Sequence, residues 1–290
     1  MVISFLTWIH AMLPLRVLYV FSDILYFPLY YIIRYRRKIV RRNLENSFPD
    51  KTIKEIIGIE KRFYHHFCDY FFETIKLLHI SDEEMKRRFV FKDMAIVEEK
   101  MKEGNSCIMM LGHYGNWEWI TSITLWSNDP DAHFAQIYRP LRNKAFDRFF
   151  IDLRKRFHST GFTKNDTLRE IVKFRRDEKK LVVGFISDQK PSWNNIHYWT
   201  RFLNQDTAIL TGAERIAKQT GFIVGYLDVR RLRRGYYEVE VKLISDDPGS
   251  TAEFEITERY ARMMEDTILR DPTCWLWTHN RWKHKRQEIT

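Results

Sequence analysis

The chain has 290 residues, and because 44% of them are hydrophobic it can bury a full core, which excludes an intrinsically disordered protein. Its 48 Lys and Arg residues outnumber its 38 Asp and Glu residues, giving a net charge of +10, and 15% of the chain is aromatic. Positive charge combined with aromatic rings suits two kinds of anionic surface, nucleic acid and phospholipid headgroups. Cys68, Cys107 and Cys274 form no C-x-x-C pair, so a reducing compartment is expected rather than a disulfide framework or a zinc finger.

The first 33 residues are almost wholly apolar or aromatic, and a cluster of basic residues follows between Arg34 and Arg42. Such a cluster beside an apolar segment stays on the cytoplasmic side of a membrane and attracts anionic lipid. A secretory signal peptide fits poorly, because no positive segment precedes the apolar run and no small-residue cleavage site follows it. We therefore expect residues 1–45 to form an uncleaved membrane anchor with a basic juxtamembrane segment. The anchor either spans the bilayer or lies in its interface, and a buried core helix is the alternative.

A helical pattern follows Pro49, with apolar residues spaced mostly by three or four from Ile53 to Leu78. We expect this stripe to pack in the core rather than to bind a ligand. Ser81 and Glu84 then have the spacing of a capping box that begins a short helix.

From Phe89 onward, short apolar runs alternate with helical patterns, which predicts βα units in an α/β domain over residues 46–290. The central sheet should be mostly parallel or mixed and flanked by helices, with an antiparallel hairpin turning near Gly235. The predicted strands are Cys107–Leu111, His133–Tyr138, Leu181–Ser187, Phe222–Val229 and Tyr236–Leu243. The predicted helices cover residues 93–103, 116–126, 143–158, 166–176 and 208–220.

The segment Gly112-His113-Tyr114-Gly115-Asn116-Trp117-Glu118 directly follows the first of these strands. Reactive groups in open α/β sheets gather at the carboxyl ends of strands. His113 and Glu118 are five residues apart and would diverge on a regular helix, so they meet only if the chain between them is partly loop. A neutral imidazole there can take a proton from a hydroxyl while a carboxylate orients the ring. The alternative is a half-buried structural histidine, with a glutamate favoured by a helix dipole.

Other chemistries lack a signature in the sequence. There is no G-x-S-x-G nucleophile motif, so a hydroxyl of the substrate would be the nucleophile. Neither a phosphate-binding G-x-x-x-x-G-K-[ST] loop nor a dinucleotide-binding G-x-G-x-x-G motif is present, and the histidines show no H-E-x-x-H pairing. We therefore expect neither a cofactor nor a metal.

The His113 segment resembles the H-x-x-x-x-[DE] block of the late acyltransferases of lipid A biosynthesis. These are the lauroyl and myristoyl transferases within the glycerolipid acyltransferase-like group. Further blocks resemble the family in its order, so the resemblance covers nearly the whole chain. They are Arg41-Arg42-Asn43-Leu44 with Phe48-Pro49, Tyr138-Arg139-Pro140-Leu141, Ser187-Asp188-Gln189, Thr211-Gly212, and Trp275 to Lys283.

This resemblance implies transfer of an acyl chain from an acyl carrier protein or acyl-CoA thioester to a hydroxyl of a membrane glycolipid, a lipid A precursor. The expected location is the bacterial inner membrane, with the catalytic domain on the cytoplasmic side and in contact with anionic lipid. His113 would be the general base and Glu118 its partner. Asn116 would support the turn formed by the segment Gly112–Glu118, called the motif turn below, and it would also be a substrate-binding residue.

Further substrate-binding residues are implied by the same resemblance. Arg139, with Arg156 preferred over Arg154 on the following helix, would bind a substrate phosphate or stabilise an oxyanion. Asp188 and Gln189 end a strand, as site residues should, although a turn-capping role suits them about as well. The tryptophans from Trp275 to Trp282 are expected to form a core clasp, with a membrane-facing rim as the alternative.

The sequence departs from the family pattern at Lys190–Asn195 and Arg201–Asn204, where glycine-containing and Phe-Phe-Gly segments are common. Because that loop would border the acceptor or acyl groove, a lysophospholipid, an aminolipid or another glycolipid is an alternative acceptor. A non-catalytic module that binds anionic lipid or nucleic acid is a remote alternative, since it would need neither the anchor nor the ordered motifs. Nucleic acid is not an expected partner.

Overall fold

The computed structural model describes residues 12–286 except 139, 141 and 142, with the backbone alone at positions 145 and 146. We number the helices α1 (Leu15–Phe27), α2 (Arg37–Ser47), α3 (Ile53–Lys76), α4 (Asp82–Arg88), α5 (Met94–Lys102), α6 (Lys144–Lys155), α7 (Thr167–Arg176), α8 (Gly212–Thr220) and α9 (Glu255–Arg270). The strands are β1 (Phe89–Lys92), β2 (Cys107–Leu111), β3 (His133–Tyr138), β4 (Thr160–Thr163), β5 (Leu181–Ile186), β6 (Tyr198–Phe202), β7 (Gln205–Ile209), β8 (Ile223–Arg233) and β9 (Tyr236–Ser245).

Seven strands form the central sheet in the order β1-β9-β8-β2-β5-β3-β4. Strands β8 and β9 pair antiparallel, and every other neighbouring pair in this sheet is parallel. Every residue of β2 is buried, as expected for a parallel strand covered on both faces. The α/β prediction is thus confirmed, together with the hairpin near Gly235.

All five predicted strands belong to this sheet, but four others were not predicted. Strands β1 and β4 have only four residues each, too few for a clear alternation of apolar and polar positions. Strands β6 and β7 form a separate hairpin whose turn residues, Leu203 and Asn204, have positive φ angles of 47° and 61°. The helix expected over 208–220 consequently begins only at Gly212, and the one expected over 116–126 is a 3-10 helix from Trp119 to Trp126.

The predicted long helix is α3, which starts with a complete capping box between Thr52 and Glu55. Most of its apolar stripe lies in the core, as predicted, including Ile56, Phe63 and Phe67, whereas Ile53 and Phe71 on the same helix are exposed. At the start of α4 the box is only half formed. The Ser81 hydroxyl accepts from the Glu84 backbone N–H, whereas the Glu84 carboxylate pairs with Arg88.

Helix α1 packs along α3, so one of its sides is buried and the other is exposed. Leu15, Leu18 and Tyr26 are buried in the same core as the sheet, whereas Val20 and Ile24 are 56% and 63% exposed. Leu15–Ile33 has a mean hydropathy of 1.3, and within the described part of the chain it alone is long and apolar enough to cross a bilayer. The first eleven residues of the expected anchor lie outside the described residues.

Part of the basic cluster after α1 joins elements of the protein together. Arg37 and Arg41 both pair with the buried carboxylate of Glu60 on α3, at 3.0 and 2.6 Å. Arg36 and Arg42 donate to Thr278 O and Asn280 Oδ1 near the carboxyl terminus. The cluster therefore fixes α2 to the body of the protein, as well as leaving several cations at the surface.

Candidate active site

His113 lies at the carboxyl end of β2, two residues beyond Leu111. Strand β5 runs parallel to β2, with Ile186 in register with Leu111, so Asp188 emerges beside His113 at the same edge of the sheet. The His113 Nδ1 atom lies 2.6 Å from Asp188 Oδ1, and the His113 backbone N–H donates to Oδ2 at 2.9 Å. The carboxylate that contacts the imidazole is thus Asp188 rather than the expected Glu118.

Asp188 is buried, and three hydrogen bonds hold its carboxylate, two from His113 and one from Trp275 Nε1 at 2.8 Å. Burial by itself raises the pKa of Asp188, but the charge of His113 and these hydrogen bonds outweigh it and lower the pKa to about 2. The group is therefore an anion at neutral pH, so it accepts a hydrogen bond from Nδ1–H, and this tautomer leaves the lone pair on Nε2.

The Nε2 atom of His113 lies 3.2 Å from the side-chain amide nitrogen of Gln189. With the lone pair on Nε2, the Gln189 amide donates to it. The edge of the imidazole also meets the Trp117 ring, with 5.1 Å between ring centroids. Gln189, which also lines the cavity, is thus the hydrogen-bond partner of Nε2.

Glu118 is buried and pairs with Arg154 through two hydrogen bonds, at 3.0 and 3.2 Å. The guanidinium also lies over the Phe150 and Tyr138 rings, 5.4 and 5.8 Å from their centroids. Arg156 was expected to bind the substrate phosphate or the oxyanion in preference to Arg154. The structure reverses this, because Arg154 lines the cavity whereas Arg156 donates to Ile80 O and Asp82 outside it.

The side chain of Asn116 is fully buried and faces away from the cavity, so it is not available to a substrate. Its amide donates to Glu73 at 3.0 Å and its carbonyl oxygen accepts from the Trp119 N–H at 3.3 Å. Its placement fits the expected support of the motif turn and contradicts a substrate-binding contact. Arg139, the remaining predicted ligand, lies outside the described residues.

A cavity of about 530 Å³ opens in front of His113. It combines polar side chains of the site with Lys164, Lys190 and an apolar wall of Ile137, Phe150, Phe185, Ile186, Leu210 and Ile216. The size and the lining of this cavity suit a ligand with a long apolar part and an anionic or polar head. Of the segment Lys190–Asn195, residues 190–192 line this cavity, as expected, and residues 193–195 do not. Arg201–Asn204 form the end of β6 and the turn into β7, and they do not line it either.

The carboxyl-terminal block is a core clasp, as predicted. Trp275, Trp277 and Trp282 are all buried, and the Leu276 N–H donates to His113 O at 3.1 Å. Tyr114 and Trp275 form an antiparallel bridge. This block therefore fixes the backbone from His113 to Gly115 as well as the Asp188 carboxylate.

No group of three or more His, Cys, Asp or Glu side chains in the described parts of the chain is arranged to hold a metal ion.

The pairing of His113 with Asp188 could not be predicted, because it depends on the order of the strands in the sheet. Asp188 was noted as a strand-end acid, but its neighbour could be found only from the adjacency of β2 and β5.

A histidine–aspartate pair at the carboxyl edge of an α/β sheet, facing a largely apolar cavity, is the arrangement of an enzyme suited to proton transfer on a substrate with an apolar part. The family model of bacterial lipid A biosynthesis acyltransferases matches residues 1–284, and the chain belongs to this family. The lipid A biosynthesis acyltransferase of Haemophilus influenzae is 25% identical over 259 residues, which cover 88% of this chain and 80% of the relative. The protein is an acyltransferase of lipid A biosynthesis, with an acyl donor and a lipid acceptor as substrates.

Proposed function

We propose that the protein is a membrane-associated O-acyltransferase that moves a fatty acyl chain from an acyl carrier protein thioester to a hydroxyl of a lipid A precursor. The observation that carries this proposal is the contact between His113 Nδ1 and buried Asp188, which leaves Nε2 directed at the cavity neighbour Gln189. Family membership gives the reaction class, and this pair supplies a base for it.

In the proposed reaction, the acceptor hydroxyl replaces the Gln189 amide at His113 Nε2 and transfers its proton there. The hydroxyl oxygen attacks the thioester carbonyl carbon, and the tetrahedral intermediate carries the negative charge on the former carbonyl oxygen. As the carbon–sulfur bond breaks, the leaving thiolate takes the proton from Nε2. Asp188 stabilises the intermediate imidazolium and keeps the ring oriented. The products are an ester and a free carrier thiol.

Arg154 supplies positive charge at the wall of the same cavity, and Glu118 holds its guanidinium by two hydrogen bonds. We assign Arg154 to the developing oxyanion or to an acceptor phosphate, because a guanidinium recognises both oxyanions with paired N–H groups. Glu118 then acts on the reaction through Arg154. The exposed Lys164 and the partly buried Lys190 would add to the attraction of an anionic acceptor or an acidic carrier.

The apolar wall of the cavity suits the acyl chain. Each methylene removed from water there contributes about 0.8 kcal/mol to binding. Residues 190–192, which differ from the common family pattern, border the same space and would influence the choice of acceptor.

Membrane association is assigned to the exposed side of α1, with the protein on the cytoplasmic face of the inner membrane. One side of the helix packs on α3 and Asp23 pairs with Arg234, contacts that a helix lying in the interface can keep. Arg34, Lys38 and other surface cations just after α1 suit anionic headgroups.

The proposal is tested by mass spectrometry of total membrane lipids from cells with the gene, without it, and with His113→Ala in its place. A lipid A species should lose the mass of one acyl chain when the gene is deleted, and His113→Ala should not restore it although the protein accumulates. Restoration by His113→Ala would overturn the role of the base. Loss of the chain from a phospholipid or an aminolipid would overturn the acceptor.

A further inference from the structure

Glu73 is a fully buried carboxylate on α3 that does not line the active-site cavity. Three side chains from separate parts of the protein donate to it: Tyr19 of α1 at 2.9 Å, Asn116 of the motif turn at 3.0 Å and Tyr237 of β9 at 2.9 Å. A buried carboxylate needs such donors, and all three bonds fix the position of the group that makes them. Glu73 is therefore a junction between α1 and the turn that carries His113.

Asn116 in the motif turn and Trp119, the first residue of the following 3-10 helix, both contact this junction. Asn116 uses its amide N–H for Glu73 and its carbonyl oxygen for the backbone N–H of Trp119. The Trp119 indole N–H in turn donates to the Glu73 backbone carbonyl at 3.0 Å. Because Asn116 lies between His113 and Glu118, these bonds set the shape of the chain that separates the two.

Helix α1 is joined to α3 at two levels, which makes a comparison possible. At one level, Tyr19 reaches Glu73 and through it Asn116. One turn further along α1, the Ser22 hydroxyl donates to Asp69 at 2.6 Å. Among the hydrogen bonds of the described residues, Asp69 is bonded to Ser22 and Arg234 and to no residue of the motif turn.

We propose that Glu73 is a positioning residue for acyl transfer: it holds Asn116, thereby fixes His113 relative to the Arg154-bound Glu118, and ties that geometry to the docking of α1. This inference rests on the proposed function, because it requires His113 to be the base. An error of about 1 Å in such a geometry lowers a rate roughly 100-fold. The cavity walls that bind the acyl chain are separate, so the effect falls on kcat rather than on KM.

The test compares Tyr19→Phe with Ser22→Ala in the full-length protein. Each variant removes one hydroxyl that bonds α1 to α3, but only Tyr19→Phe removes a bond to Glu73. The acyl donor is acyl carrier protein carrying a saturated fatty acyl chain as its thioester, and the acceptor is a lipid A precursor with a free hydroxyl. Initial rates are measured at several donor concentrations, which gives kcat and the KM for the donor. We expect Tyr19→Phe to lower kcat about tenfold with KM within about twofold of wild type, because loosening the turn misplaces His113. Ser22→Ala should keep the wild-type kcat, although it should lower Tm about as much as Tyr19→Phe does.

Glu73→Gln is a second variant that preserves shape but turns an amide N–H toward the donors, and it should lower kcat at least as much as Tyr19→Phe. If it fails to fold, Tyr19→Phe still decides the question. Equal losses of kcat in Tyr19→Phe and Ser22→Ala, or a rise in KM alone, would overturn the proposal. His113→Ala is measured alongside: transfer retained there refutes the proposed base, whereas an inactive His113→Ala with a fully active Tyr19→Phe refutes only the positioning role.

Discussion

The imidazole of His113 and the carboxylate of Asp188 lie 2.6 Å apart, although 75 residues separate them in the chain. They meet because β2 and β5 are adjacent parallel strands that end at the same edge of the sheet. The acid nearer in sequence, Glu118, pairs with Arg154 instead. His113 with Asp188 and Glu118 with Arg154 are therefore two separate ionisable pairs, and His113, Glu118 and Arg154 line one cavity.

The pairing of Glu118 with Arg154 predicts coupled effects on activity. Glu118→Gln should free the guanidinium, and Arg154→Met should leave the buried carboxylate without its cation, so each variant should lower kcat by roughly tenfold or more. The double variant should be little worse than the poorer single variant, because both remove the same interaction. Steady-state kinetics of the three variants measure this coupling. Fully additive losses would contradict the assignment of the two residues to one unit, and Arg156→Met is the control expected to keep wild-type kcat.

The lowered pKa of Asp188 predicts a stability difference that depends on pH. Since the folded-state pKa is about 2 rather than 3.8, the stabilisation by this carboxylate is complete above about pH 4 and is lost as the pH falls through 2. The shift corresponds to about 2 kcal/mol. Urea midpoints of wild type and Asp188→Asn, measured from pH 5 down to pH 2, should therefore converge at the acid end. If the difference between the two urea midpoints stayed constant from pH 5 to pH 2, the carboxylate would gain no such stabilisation.

The exposed side of α1 predicts which substitutions release the protein from membranes. Val20→Glu combined with Ile24→Glu places two charges on that side without disturbing the buried contacts with α3, and it should weaken binding to vesicles by at least roughly tenfold. Flotation with vesicles containing anionic phosphatidylglycerol measures the bound fraction. Leu168→Glu with Val172→Glu is the matched control, since these α7 residues are 44% and 49% exposed at the same spacing. An α1 variant that floats like wild type would contradict the assignment.

Gly112 predicts a packing effect next to the site. A Cβ atom at this position would overlap the side chain of Met264, which is itself buried in α9. Gly112→Ala should therefore destabilise the protein by about 1–3 kcal/mol and displace His113, with a loss of activity. Adding Met264→Ala should restore part of the activity lost in Gly112→Ala. Thermal unfolding and turnover measure both effects, and an unchanged Tm for Gly112→Ala would show that the core has room for the methyl group.

The sequence predicted the elements that have a strong local pattern. The apolar run of β2 and the three- and four-residue spacing of α3 each follow from local periodicity, and both lie close to the predicted bounds. The four-residue strand β4 carries Thr160 and Gly161, which give no such pattern. Such strands are stabilised by their neighbours in the sheet rather than by local preference.

Strand ends indicated three residues that the structure brings together, but the expected pairing of His113 with Glu118 and the expected substrate contacts of Asn116 and Arg156 were wrong. His113, Asp188 and Gln189 follow from their location at strand ends, and the structure brings them together. Which carboxylate faces the imidazole depends on strand order, a long-range property with no local signal. For Arg154 and Arg156, a two-residue step turns the side chain by roughly 200° on a helix, so similar sequence positions have opposite surroundings.

Turnover of the full-length Asp188→Asn variant, measured beside wild type and His113→Ala with an acyl-carrier-protein thioester and a lipid A precursor, tests the central claim most directly. Asn fits the same space and can still accept one hydrogen bond, but it carries no charge to hold the Nδ1 proton and stabilise the imidazolium. We predict a fall in kcat by about two to four orders of magnitude, close to that of His113→Ala, with little change in KM. A kcat for Asp188→Asn near the wild-type value would contradict the account of His113 and Asp188 as one catalytic pair.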